Sequence, residues 1–235
     1  MVIATTEFAA AEFVRIKASN LRMVSLGVDL VGFNPANRNS KLRRELLKDS
    51  ELLLVHCGRI SPEKEPQRSV QALAELVNRG IDARLVIIGG GPLWKKVRKM
   101  SKNLPIEMVG YVASREKLAS YLAAADITLA PGPLETFCLS ALESLASGTP
   151  VVASGSSAVG EILNINSIKP AGAVAADNGI SFADEIVKLL NKGNLRKVAR
   201  SQAEKYSWAN TIDAMLDIHQ AKKPMITTKR KLRAA

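Results

Sequence analysis

Two glutamates, Glu135 and Glu143, stand eight positions apart in the stretch L-E-T-F-C-L-S-A-L-E-S-L-A-S-G-T-P. The first follows a Pro-Gly-Pro turn at residues 131–133. The second has apolar helical neighbours, Leu139, Leu142, Leu145 and Ala146, so it is expected half buried and in need of a partner. The spacing predicts a helix over residues 136–147. Its first-turn N–H groups, at Thr136, Phe137 and Cys138, would lack intrahelical partners and favour an anion. If all of that segment were helical, the two carboxylates would lie about 12 Å apart along the axis. They could not share one proton or one metal ion. They could bracket a ligand as long as a sugar plus a nucleotide, since each carboxylate can accept two bonds from a vicinal diol. Taken alone, Glu143 also fits a helix-surface salt bridge.

Two more turns carry chemistry. The apolar run 52–57 is followed by G-R-I-S-P-E-K, which offers Arg59 and Lys64. A planar guanidinium fork and a point charge together suit a diphosphate. Either cation can instead pair with Glu63 or Glu65. The run 84–88 is followed by G-G-G-P, which permits close backbone approach or simply a tight turn. It is not G-x-G-x-x-G, because Trp94 holds the third glycine position, so a dinucleotide fingerprint is poorly supported. An NAD-dependent oxidoreductase would also need an acid closing the following strand, where Glu107 begins it instead. The histidines are His56 and His219, and His56, inside an expected buried strand, reads as a satisfied core histidine. With Cys57 and Cys138 as the cysteines, zinc has no ligand set, and there is no Walker loop, H-E-x-x-H, D-x-D or G-x-S-x-G.

These residues need elements to hold them. Strand-length apolar runs at 52–57, 84–88, 107–109, 127–130 and 151–153 alternate with helix-period segments at 66–79, 93–103, 114–124 and 136–147. Three short helices follow within 157–163, 183–192 and 194–204, then an amphipathic stretch at 208–220. Strand–helix alternation with short turns means parallel strands and right-handed crossovers: an α/β, Rossmann-like doubly wound sheet. In such sheets ligands bind at the carboxyl ends of strands, where the turns above lie. Residues 1–31 form a separate strand–helix–strand pattern, read as the remnant of a second domain. Residues 32–50 are a linker and first helix, 51–206 the Rossmann-like domain, 207–221 a closing helix and 222–235 a basic tail.

The 235 residues are 47% hydrophobic and 23% charged, enough for a soluble domain with a core. Two unspaced cysteines fit a reducing cytoplasm, and no 18-residue apolar run or basic–apolar leader is found. The net charge is +11, concentrated at Arg38–Lys48, at Lys95, Lys96, Arg98, Lys99 and Lys102, and in the tail from Lys222 to Arg233. Such patches are solvated helix faces, or they attract an anionic membrane surface. Aromatics are 4% with no basic–aromatic interleaving, so nucleic acid is not an expected partner.

In order and spacing, G-R-I-S-P-E-K, G-G-G-P, V-G-Y-V, A-D-I-T-L-A-P and E-T-F-C-L-S-A-L-E-S-L-A-S-G-T-P-V-V-A resemble the donor half of a retaining GT-B glycosyltransferase of family 4. G-V-D-L-V-G-F-N-P resembles that family's interdomain linker, and Y-S-W the start of its final crossover helix. V-H-C-G-R, A-P-G-P and L-E-S-L-A-S-G-T-P are most similar to actinobacterial GDP-mannose-dependent α-mannosyltransferases acting on glycolipid anchors. The resemblance implies a nucleotide-sugar donor, GDP-mannose, and a lipid-linked acceptor, with no metal or other cofactor. It implies that Arg59 and Lys64 hold the diphosphate, that Glu143 holds the ribose and that Glu135 holds the sugar. Glu135, Arg59 and Lys64 would be the catalytic set. Gly58, Thr136, Phe137, Cys138 and Leu139 would join the donor site through backbone, and Val112 would meet the base. Two departures stand out. Cys138 replaces a usual glycine, and the acceptor domain's glycine-rich loop and histidine are not found, which implies a missing N-terminal half or a partner chain. The expected location is cytoplasmic, peripheral on the inner face of the plasma membrane. A module that binds sugar nucleotide without transfer is the alternative.

Overall fold

The computed structural model describes residues 1–219. The chain opens with β1 (Val2–Ala4), α1 (Glu7–Arg15) and β2 (Leu21–Met23), a two-stranded parallel unit. It continues through α2 (Ser40–Leu47), β3 (Leu52–Cys57), α3 (Pro66–Asn78), β4 (Ala83–Ile88), α4 (Trp94–Met100), β5 (Ile106–Gly110) and α5 (Arg115–Ala124). Then come β6 (Ile127–Ala130), α6 (Leu139–Ala146), β7 (Val151–Ser154), α7 (Val159–Ile162), β8 (Gly172–Ala175), α8 (Gly179–Asn191), α9 (Arg196–Ala203) and α10 (Trp208–Ile218). Strands β3 to β8 form one parallel sheet in the order β5-β4-β3-β6-β7-β8. This is the expected doubly wound sheet, with its order reversing between β3 and β6.

The two-residue side-chain period of the strands sets the two layers. Leu52, Leu54, Leu85, Ile87, Ile127 and Leu129 face the apolar sides of α3 and α8. Leu53, Val55, Val86, Val151 and Ala153 face α5, α6 and α9. Pro66 opens α3, and Gly80, with φ +76, lies just past its end. Ser114 caps α5 by accepting from Lys117 N. On the second layer Arg196 donates to the carbonyls of Ala123, Ala125 and Ser147, so one guanidinium satisfies the ends of both α5 and α6. Arg200 does the same for Ala146, Leu30 and Phe33.

Several boundaries differ from the sequence expectation. The helix expected over 136–147 begins at Leu139, because Cys138 has φ 75 and ψ 79, a left-handed backbone that cannot continue a helix upstream. Glu135, Thr136 and Phe137 therefore lie in the preceding loop. Strand β8 was not expected: G-A-V-A is short and small-chained, with little β-branched signal. Helix α8 starts four residues before its expected start, at a cap where Asn178 accepts from Ser181 N. Helix α4 stops at Met100, ahead of left-handed Asn103. The expected basic tail and the last residues of the expected closing helix lie outside the described residues.

The first unit docks on the loop before α6 and on α7. Thr6 Oγ1 donates to Thr136 O at 2.8 Å, and Glu161 accepts the N–H groups of Glu7 and Phe8 at the start of α1. Helix α10 returns to the same region: Val28 N donates to Tyr206 O, and Thr211 Oγ1 donates to Ser25 O. Phe8 and Val14 of α1, Ile16 just past its end, Met23 of β2, and Trp208 and Ile212 of α10 are exposed. Among the described residues no helix is long and apolar enough to cross a membrane.

His56 sits mid-sheet, and its imidazole pKa falls from 6.5 to about 4, by burial first and by the nearby Lys64 charge second. The unfolded chain therefore takes this proton first as pH falls. The stability that neutral His56 contributes is full above pH 6.5 and is lost down to about 4. His56→Val is expected to flatten the fall in unfolding free energy across that window by up to about 3 kcal/mol. Urea titrations at stepped pH check this; an unchanged slope contradicts it.

Candidate functional site

Strands β3 and β6 pair directly, Leu54 to Ile127, Val55 to Thr128 and His56 to Leu129. The turns after their carboxyl ends therefore open side by side, at the point where crossovers leave to opposite faces of the sheet. The β3 turn carries Gly58, Arg59 and Lys64. The β6 turn carries Pro131 to Cys138.

The β3 turn is held by the glycine turn after β4. Gly58 N donates to Ile88 O, Ile60 N to Gly90 O and Leu93 N to Ile60 O. Gly89 has φ +133, and a Cβ there would stand 1.9 Å from Gly58 O. Gly91 has φ +155, and a Cβ would stand 2.5 Å from Ile60 O. The G-G-G run is thus a backbone clamp on the neighbouring turn, which agrees with its poor fit to a dinucleotide fingerprint. Gly132 plays the matching part opposite, where a Cβ would come within 3.0 Å of Glu63 O and 3.3 Å of Lys64 Cα.

The two turns meet in an ion pair: Lys64 Nζ lies 2.5 Å from Glu135 Oε1, with both side chains mostly buried. Arg59 is not drawn in. Its side chain is 74% exposed and pairs with Glu63 at 2.8 Å, the neighbour pairing that the sequence left open. Glu143, on α6, is separate from Glu135. It is half-buried and faces Arg115 at 3.6 Å. Burial pushes its carboxyl above the usual range, Arg115 draws it down, and Asp29 adds a smaller upward push. Arg115 itself lies over the Phe33 ring, 4.9 Å from the centroid. Glu143 is therefore no free surface group, as its apolar neighbours foretold.

Leu139 and Ser140, not Thr136 and Phe137, supply the first-turn N–H groups of α6. Thr136 is exposed and its carbonyl is taken by Thr6. Phe137 is buried edge-on against Tyr206. Val112 is half-buried in the loop after β5 and packs on the core. Cys138 is buried at its left-handed position, where glycine carries no steric cost. Burial raises its thiol to about 11, and that of Cys57 to about 12, so both stay protonated at neutral pH.

Sequence reasoning missed three supports. Arg68 donates to Pro131 O at 2.9 Å and pairs with Asp177 at 3.1 Å, and Asp177 accepts from Ser154 Oγ. This chain fixes the Pro-Gly-Pro turn from behind. Asp177 follows β8, so missing that strand concealed it. Arg115, the partner of Glu143, is far off in sequence and gave no signal. His56 is buried as expected, yet only Nδ1 is satisfied, by Ser69 Oγ at 3.0 Å. A larger cavity, about 770 Å³, lies at the other end of the sheet among Arg38, Arg43, Asp126 and Arg196. Its guanidinium groups are already bonded to helix-end carbonyls or to Asp126, so it serves the fold.

Residues 37–206 match the family described as "Glycosyl transferases group 1", and the chain belongs to that family. It is 44% identical over 217 residues to a GDP-mannose-dependent alpha-(1-6)-phosphatidylinositol dimannoside mannosyltransferase of Mycobacterium tuberculosis, covering 92% of this chain and 56% of that protein. It is 31% identical over 230 residues to a D-inositol 3-phosphate glycosyltransferase of Mycolicibacterium smegmatis, covering 92% and 51%. The chain thus spans about half the length of these relatives. Among solved structures, the Thermosynechococcus elongatus sucrose-phosphate synthase superposes with a TM-score of 0.78 at 23% identity, covering 93% of this chain and 57% of that one. Anabaena HepE, solved with UDP and glucose, superposes with a TM-score of 0.79 at 17% identity, covering 94% and 63%. These likenesses show the GT-B fold.

The clamp makes a sharp contrast testable. Gly89→Ala is expected to cost at least about 2–3 kcal/mol of stability, from positive-φ strain and the clash with Gly58 O. Gly90→Ala, with open space and no positive φ, should change stability by less than about 0.5 kcal/mol. Chemical denaturation of both variants reads the difference, and equal effects would remove the clamp.

Proposed function

We propose that the chain is the donor-binding half of a retaining mannosyltransferase of family 4. It takes GDP-mannose and passes mannose to a phosphatidylinositol-type glycolipid. The observation that carries the reading is the meeting of the β3 and β6 turns at Lys64 and Glu135, inside a chain of this family. Its identity to the mycobacterial dimannoside mannosyltransferase supports the donor and acceptor class. The acceptor site would come from a further N-terminal domain or a partner chain.

In this reading Lys64 turns from Glu135 to the diphosphate, and Arg59, exposed and tethered only by Glu63, swings in beside it. The two cations offset the charge that develops as the nucleotide leaves, so no metal is needed. Glu135 then accepts from the sugar hydroxyls. The start of α6 at Leu139 faces the phosphates, Gly58 lets them approach the β3 turn, Glu143 takes the ribose diol, and Val112 meets the base through its backbone. A second reading, binding without transfer, draws on Cys138, whose side chain shares a cavity wall with Lys64 and Glu135 where glycine would leave more room. Transfer of mannose to a lipid acceptor once the acceptor domain or partner chain is supplied separates the two, since binding without transfer predicts none even then.

The exposed basic residues of α4, Lys95, Lys96, Arg98 and Lys99, support peripheral attachment on the cytoplasmic face of an anionic membrane, where a lipid acceptor would lie.

Calorimetric titration is expected to show GDP binding in preference to UDP and NAD, with Glu143→Ala weakening it roughly ten- to a hundredfold. An unchanged affinity in that variant would remove Glu143 from the site. On vesicles, sedimentation with anionic lipid should occur at low salt and fade as salt rises; no binding at low salt removes the membrane contact.

A further inference from the structure

His56 is 2% exposed near the end of β3, on the face shared with Leu54 and packed against α3. Its Nδ1 meets Ser69 Oγ at 3.0 Å. Its Nε2 is buried and has no hydrogen-bond partner among the described residues. A ring nitrogen in that setting carries a desolvation cost unless something bonds to it. His56 is among the residues that line a small cavity of about 20 Å³. Lys64, Glu135 and Ser140 stand on the other walls. A single water needs roughly 10–15 Å³ of such space and two to four polar partners. A sugar hydroxyl with its carbon attached needs more room than this.

We propose that His56 is a positioning residue for the Lys64–Glu135 pair, acting through one water molecule held in this cavity. The inference rests on the reading of Lys64 and Glu135 as donor-binding groups. With a cation beside it, the neutral ring keeps its lone pair on Nε2 and its proton on Nδ1, which donates to Ser69 Oγ. The water donates one hydrogen to Nε2 and the other to the Glu135 carboxylate. Glu135 then has a second anchor besides Lys64. When Lys64 turns to a diphosphate, the carboxylate stays in place for the sugar hydroxyls. The design explains why a polar ring occupies an otherwise apolar central strand, directly beneath the two turns.

The test is GDP-mannose titration of the full chain carrying His56→Val, His56→Gln, Lys64→Met, and His56→Val with Lys64→Met, each checked for folding by circular dichroism. His56→Val should weaken binding about three- to tenfold. His56→Gln, which keeps a polar group at the cavity, should recover most of that. In the Lys64→Met background, His56→Val should have less than half of its effect in logarithmic terms, because the pair it positions is already broken. A crystal structure should show one ordered water within hydrogen-bond reach of Nε2 and Glu135. If His56→Val acts by the same factor in both backgrounds, or not at all, the proposal is overturned; if it fails to fold, absence of that water overturns it. If Lys64→Met itself leaves the affinity unchanged, the donor-site reading falls, and this inference falls with it.

Discussion

The direct pairing of β3 with β6 is the constraint on which the candidate site depends. Parallel strands need crossovers, and here the helix after β3 packs on one face while the helix after β6 packs on the other. A cleft must open between the two turns. Pairing of His56 with Leu129 fixes both strand ends at one level, and this lets Lys64 reach Glu135 across the gap. Slip that pairing by one residue and every side chain on β6 changes face. Thr128, which accepts from Ser144 Oγ in the α6 layer, would then face α3 instead.

Backbone contact, more than side-chain contact, holds the turns in place. Gly89 and Gly91 stand where a Cβ would strike a neighbouring backbone, and at Gly132 a Cβ would crowd Glu63, Lys64 and Glu135. Close packing of this kind leaves the β3 turn little freedom. The charged groups are held more loosely. Arg59 is exposed on its Glu63 tether, and Arg115 reaches Glu143 at 3.6 Å from a mostly exposed position. Exposed pairs of this sort are worth little and exchange partners readily. A rigid cradle with exchangeable cations is what the proposed anionic ligand would require: a phosphate would have to replace the carboxylates that pair with these cations.

The sheet was largely legible because buried parallel strands are dense apolar runs, as in L-L-L-V-H-C and R-L-V-I-I. Strand β8 was not, since glycine and alanine carry no strand signal, and Asp177 was lost with it. The turns that carry the candidate residues were legible from their residue types and from their place after strands. Their geometry was not. Periodicity ran the α6 helix back through Cys138, whose left-handed backbone depends on tertiary packing and has no local marker for a non-glycine residue. The partners of Arg59 and Glu143 differ in the same way: Glu63 is four residues from Arg59 and was foreseen, while Arg115 is 28 residues from Glu143 and was not. His56 was legible as buried and illegible as half-satisfied, because a cavity is a property of the packed whole.

The central claim is that the ends of β3 and β6 hold the diphosphate of a sugar nucleotide. A crystal structure of the chain with GDP-mannose tests it most directly. The account predicts the diphosphate between the Gly58–Lys64 turn and the start of α6, with Lys64 moved off Glu135 and the ribose at Glu143. Nucleotide density elsewhere, such as the arginine-lined cavity at the opposite end of the sheet, with the Lys64–Glu135 pair unbroken, would contradict it.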